Sequence, residues 1–189
     1  MSTNGWIVLG LAIVIIAIVG MVMAARVAGT RRRAHLQDQF GPEYDRAVGE
    51  AGSRRQAEDE LADRERRHSE LELKPLSDAS RTRYLDEWQG VQQRFVDDPE
   101  NAATQAEQLV GRVMTDRGYP VDKGRKASVE AVSVDHPDVV QRYRKGCDAL
   151  EARSGDGEAR TENLRKAMVD FRSVFESLLE PDREVAGVR

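Results

Sequence analysis

The chain has 189 residues, a formal net charge of −4 and a single cysteine, Cys147. One cysteine excludes an internal disulfide and a cysteine-based zinc site. The net charge includes four arginines at positions 26, 31, 32 and 33, so residues 34–189 carry −8, a balance that disfavours nucleic acid as a partner.

The first stretch, Gly5 to Ala25 (GWIVLGLAIVIIAIVGMVMAA), contains no charge. As a helix it is roughly 31 Å long, close to the hydrocarbon thickness of a bilayer. Its eleven strongly apolar Ile, Leu and Val side chains favour insertion by roughly 3 to 7 kcal/mol. Residues 5–25 are therefore expected to be a transmembrane helix that partners the lipid bilayer, with Trp6 at the headgroup level and residues 1–4 as a short external terminus. A cleaved signal peptide needs a basic n-region, and Met1 to Asn4 has none, so retention is the expectation and export on an N-terminal signal the alternative. The arginines following the run predict a cytoplasmic location for residues 26–189.

Residues 26–41 read as a basic connector. Gly41-Pro42-Glu43 starts a helix, with Pro42 at its first position and Glu43 near the positive end of the dipole. From 42 to 74 the sequence is rich in Arg, Glu and Asp, with sparse apolar residues at Tyr44, Val48, Ala51, Ala57, Leu61 and Leu71. This pattern predicts a charged juxtamembrane helix, a solvated stalk that joins the bundle near its C-terminal end.

Pro75 breaks that helix, and Leu76-Ser77-Asp78 caps the next. Tyr84, Leu85, Trp88, Val91, Phe95 and Val96 form an aromatic stripe from Asp78 to Asp97. Asp98 as N-cap and Pro99 at N1 start another helix, whose stripe runs from Ala103 to Met114 and which stops at Arg117-Gly118. Residues 119–134 are expected as loop plus a short helix around Lys126 to Val132. Asp135-His136-Pro137-Asp138 repeats the Asp-Pro pattern and starts a helix to about Arg153, with Val140, Tyr143, Cys147 and Leu150 on one stripe. Ser154-Gly155-Asp156-Gly157 is a turn. The last helix is expected from about Thr161 to Leu179, with Pro181 ending it and a disordered tail at 181–189. The fold class is thus all-α: a transmembrane helix, a charged juxtamembrane helix, and a bundle of about four helices within residues 75–180.

Few residues suggest chemistry, and each has a simpler structural role. Asp97-Asp98 resembles a carboxylate pair, but sits where a helix needs a cap. Asp135-His136 resembles a dyad, but adjacent residues seldom face one another and Pro137 marks a helix start. Cys147 lies in an apolar stripe, which suits a buried thiol better than a reactive one. Gly155 and Gly157 follow no strand and precede no Lys-Ser/Thr, so they form no phosphate loop. No catalytic residue, cofactor or metal is assigned.

The blocks Arg94-Phe95-Val96-Asp97-Asp98-Pro99, Arg117-Gly118-Tyr119-Pro120, Ser133-Val134-Asp135-His136-Pro137 and Leu164-Arg165-Lys166-Ala167-Met168 together resemble an uncharacterised family of bacterial single-pass membrane helical proteins, sometimes described as secreted. The resemblance spans roughly residues 40–180 and implies one helical family without implying an activity. The expected function is a non-enzymatic, membrane-tethered module for protein interaction or self-association. A regulator coupling the membrane to a cytoplasmic factor is one alternative. A membrane-proximal enzyme is another, and it requires Asp97, Asp98, Asp135 or His136 to converge on a pocket.

Overall fold

The computed structural model describes residues 3–152 and 157–180, with the side chains of residues 3–15 and of Ala25 outside that description. Among the described residues every regular element is helical, so the all-α expectation holds. Met1 and Ser2 of the predicted external terminus, residues 154–156 of the predicted turn and the predicted tail at 181–189 lie outside the described residues. The chain divides into two units, Met1–Gln39 and Phe40–Arg189.

Helix α1 runs Thr3–Phe40. Residues 26–40, expected as a connector, instead continue the helix. Their Arg, Ala, Leu and Gln residues are good helix formers, and no proline interrupts them before Pro42. Side chains at Ile16, Ile18, Val19, Met21, Val22 and Met23 are all exposed, Met21 by 76%. Among the described residues no helix is long and apolar enough to cross a membrane. Positions 5–15 and 25 of the predicted span have side chains that lie outside the described residues.

In the second unit, the single charged helix expected over 42–74 is two helices. Helix α2 covers Pro42–Glu50 and α3 covers Arg54–Ser69. Ala51 takes an extended backbone, Gly52 is a poor helix former, and the Ser53 side chain caps α3 by accepting the Gln56 N–H at 3.3 Å. Helix α2 packs on α3 and α7, and α3 packs on α6. Tyr44, Ala47, Ala57 and Leu61 are buried by this packing. The segment is therefore a layer of the bundle and not a solvated stalk.

Ser77 caps α4 (Asp78–Arg94), accepting the Ser80 N–H. Asp98 caps α5 (Pro99–Arg117) through the Asn101 N–H, and Pro99 stands in its first turn. Helix α4 stops at Arg94, so the last part of the expected stripe falls in a turn. Tyr84, Trp88 and Val91 are buried, whereas Val96 is 84% exposed. A 3-10 turn at Val121–Lys123 and α6 (Arg125–Asp135) fill the segment expected as loop plus short helix. Helices α7 (Pro137–Glu151) and α8 (Glu158–Leu179) complete the unit. Five α-helices thus lie between Asp78 and Leu179, where about four were expected.

Helix α8 packs against both α5 and α7. Its stripe of Leu164, Phe171, Val174, Phe175 and Leu178 is fully buried, and each such side chain contributes roughly 1.5 to 3 kcal/mol by leaving water. Trp88 of α4 stacks on Phe175 with ring centroids 4.8 Å apart, and Tyr143 of α7 meets the Phe171 ring edge-on at 6.1 Å. Gly146 lets α7 approach this ring: a Cβ there would lie 2.9 Å from Phe171 Cε1.

Candidate functional site

Helix α2 begins with Pro42, which places Glu43 in its first turn and turns its side chain under α7. The carboxylate is fully buried. From its own helix Arg46 donates through Nε to Oε2 at 2.9 Å and through Nη2 to Oε1 at 2.6 Å. From α3 Arg64 donates Nη1 to Oε1 at 3.1 Å. From α7 Arg144 donates to both oxygens, at 2.6 and 2.9 Å, and Gln141 Nε2 donates to Oε2 at 2.7 Å. Burial pushes the Glu43 carboxyl up, but the hydrogen bonds and charges of Arg46 and Arg144 outweigh it and hold the group down at about 2. The hydrogen bonds that Arg46 donates to Glu43 raise its guanidinium above the ordinary range. Outer carboxylates complete the set, with Glu50 bonded to Arg46 and Glu60 to Arg64.

This cluster floors a cleft of about 620 Å³ between α2, α3, α6 and α7. Five of its lining residues are cationic (Arg46, Arg64, Arg125, Lys126 and Arg144) and three are carboxylates (Glu50, Glu60 and Glu130). Arg125 bonds Glu151 and, at 3.1 Å, Glu107. Lys126 lies 3.7 Å from Glu130. The arrangement offers charge and hydrogen-bond donors but no assembled nucleophile.

A second polar group lies where α3, α5 and α6 meet. Asp135 Oδ2 accepts the Tyr119 hydroxyl at 2.7 Å and stands 2.7 Å from His68 Nε2. Burial raises the Asp135 carboxyl, and the His68 and Tyr119 bonds outweigh it, so its pKa is lowered. Burial and the Asp135 charge together push the Tyr119 phenol well above its ordinary range. A smaller cleft of about 240 Å³ adjoins His68, Pro120 and Lys123.

The residues singled out in the sequence do not converge. Asp98 caps α5, and among the described residues neither Asp97 nor Asp98 bonds Asp135 or His136. Asp135 ends α6 and turns to His68 instead of its neighbour, while His136 precedes α7 and places Nδ1 3.0 Å from Ser177 Oγ. Cys147 is buried 3.7 Å from Glu107 Oε1, and burial pushes its thiol up to about 12. Sequence reasoning missed Glu43, Arg64 and Arg144. One signal was present: Ala57, Leu61 and Arg64 recur at helical spacing, so Arg64 continues a buried stripe.

The chain matches no protein-family model, no curated protein and no solved structure.

Proposed function

We propose that this protein is a membrane-tethered helical interaction module, anchored through residues 5–25 with residues 26–189 in the cytoplasm, that engages a protein partner or its own copies. The observation that supports it most is the exposed apolar girdle of α1. Ile16, Ile18, Val19, Met21, Val22 and Met23 all expose large hydrophobic side chains, a surface that needs an apolar surrounding. The charge-free run before them and the arginines after them extend the same reading. The blocks at 94–99, 117–120, 133–137 and 164–168 support membership of the bacterial family they resemble.

The test is fractionation followed by crosslinking. The full chain is expected to stay with membranes through a high-pH carbonate wash. After solubilisation in maltoside it is expected to crosslink to copies of itself or to one defined protein. Release by carbonate, or recovery only as a monomer, overturns the reading.

Sidedness needs a designed thiol. Cys147 is buried, and its thiol is pushed up to about 12, so it stays unreactive in the folded chain on either side of a membrane. A Cys147→Ala, Asp122→Cys chain carries an exposed thiol in its place. A membrane-impermeant maleimide is expected to label it in permeabilised cells and to leave it unlabelled in intact ones. Labelling of intact cells overturns the cytoplasmic assignment.

A further inference from the structure

We infer that the cleft between α2, α3, α6 and α7 is a binding site for a phosphate-bearing small molecule. The inference rests on the cleft's own geometry and stands apart from the anchoring proposed above. Three guanidiniums and an amide direct six hydrogen bonds at the two oxygens of Glu43. A carboxylate has about four lone-pair sites, so Glu43 by itself is saturated with donors. The Arg64 side chain is 5% exposed, and its Nε, buried, meets no acceptor. Above this floor are two more cations, Arg125 and Lys126, and the volume is that of a small-molecule pocket.

Two of the acceptors around these arginines are displaceable, while Glu130, 17% exposed and 4.0 Å from Arg64, stays in the wall of the cleft. Glu50 and Glu60, bonded to Arg46 and Arg64, have side chains 65% and 46% exposed. Pairs of this kind are weak because water competes for both ends. A phosphate group, with several oxygens on one centre, can accept at once from the Arg46 Nη1 and Arg64 Nη2 that Glu50 and Glu60 now hold separately. On binding, Glu50 and Glu60 swing to solvent while Glu43 stays as the element that holds the three arginines together.

The experiment is a calorimetric titration of the full chain in maltoside with inorganic pyrophosphate at constant ionic strength. Saturable binding with one site per chain is expected. Glu60→Gln removes a competing negative charge and is expected to tighten it severalfold, and Lys126→Gln to weaken it severalfold. Glu162→Gln on the outer face of α8 makes the same change in net charge as Glu60→Gln and is expected to leave the affinity unchanged. Dihexanoyl phosphatidic acid distinguishes the source. Tighter binding than pyrophosphate assigns the phosphate to a lipid headgroup, looser binding to a soluble molecule, and either order keeps the site. Absence of saturable binding to the folded wild-type chain, or equal shifts in Glu60→Gln and Glu162→Gln, overturns the inference. Glu60 and Lys126 are exposed and Glu162 is partly exposed, and a wild-type circular dichroism spectrum confirms that each variant has folded.

Discussion

Glu43→Gln is expected to destabilise the Phe40–Arg189 unit by about 3 kcal/mol, measured by urea unfolding, because it takes the carboxylate from Arg144 and leaves the buried Arg64 to its outer partners. The amide is nearly isosteric, so lost packing does not account for the effect. Its one oxygen can accept, while its NH2 faces the donors of Arg46, Arg144 and Gln141. Acid makes the same change reversibly. The folded carboxyl titrates at about 2 and the ordinary value is 4.5. Its contribution to stability is therefore fully present above about pH 4.5 and is lost as pH falls toward 2. At roughly 1.4 kcal/mol per unit this is at most about 3 kcal/mol. In the variant, the loss of stability between pH 5 and 2 is expected to be shallower than in the wild type. It does not vanish, because the Asp135 and Glu60 carboxyls are lowered as well. An unchanged acid limb with an unchanged midpoint would show that the cluster contributes nothing.

The second large effect is expected at Gly118→Ala. Gly118 ends α5 in the left-handed region at φ +95, where an L side chain costs roughly 1 to 2 kcal/mol. Beyond that cost, its new Cβ would lie 2.6 Å from the Glu72 carbonyl oxygen, which is backbone and cannot rotate away. The segment at Glu72 is also tied to the end of α5, since Lys74 N–H donates to the Arg117 carbonyl at 3.1 Å. Relieving the clash breaks that bond, for a total of about 3 kcal/mol. Gly118→Asn separates the two terms, because asparagine tolerates the left-handed region yet carries the same Cβ against the Glu72 carbonyl. It is expected to keep most of the loss, and a loss close to zero would remove the packing argument.

Local chemistry was the legible part of this sequence. Ser77, Asp98-Pro99 and Gly118 each act through hydrogen bonds within a few residues, so their roles at helix ends could be read directly. The core stripes of α5 and α8 were legible for the same reason, as periodicity is local. The α2–α3 layer was not. Its composition is so charged that Arg64 and Glu43 passed as surface residues; Glu43 is covered by partners from α7, about a hundred positions later, and Arg64 closes on Glu43 from α3. Asp135 was read as part of a helix start, but it ends α6, and its partners Tyr119 and His68 lie 16 and 67 residues away. Several blocks that carry the family resemblance fall at joints, 94–99 between α4 and α5 and 133–137 between α6 and α7. Tyr119 and Asp135, in two different blocks, bond each other at 2.7 Å.

The separation between Glu43 and Arg144 also sets an order of events. During synthesis the α2–α3 hairpin leaves the ribosome well before α7, so its carboxylate stays hydrated and shares only Arg46 and Arg64 at first. The contact that completes the cluster spans 101 residues and closes late, after the loop-closure entropy of the intervening helices has been met. Interactions formed after the folding barrier act mainly on the rate of escape from the native state. Glu43 and Arg144 are therefore expected to work as a latch, so that Arg144→Gln speeds unfolding far more than it slows refolding in a urea chevron; an equal effect on both limbs overturns this order.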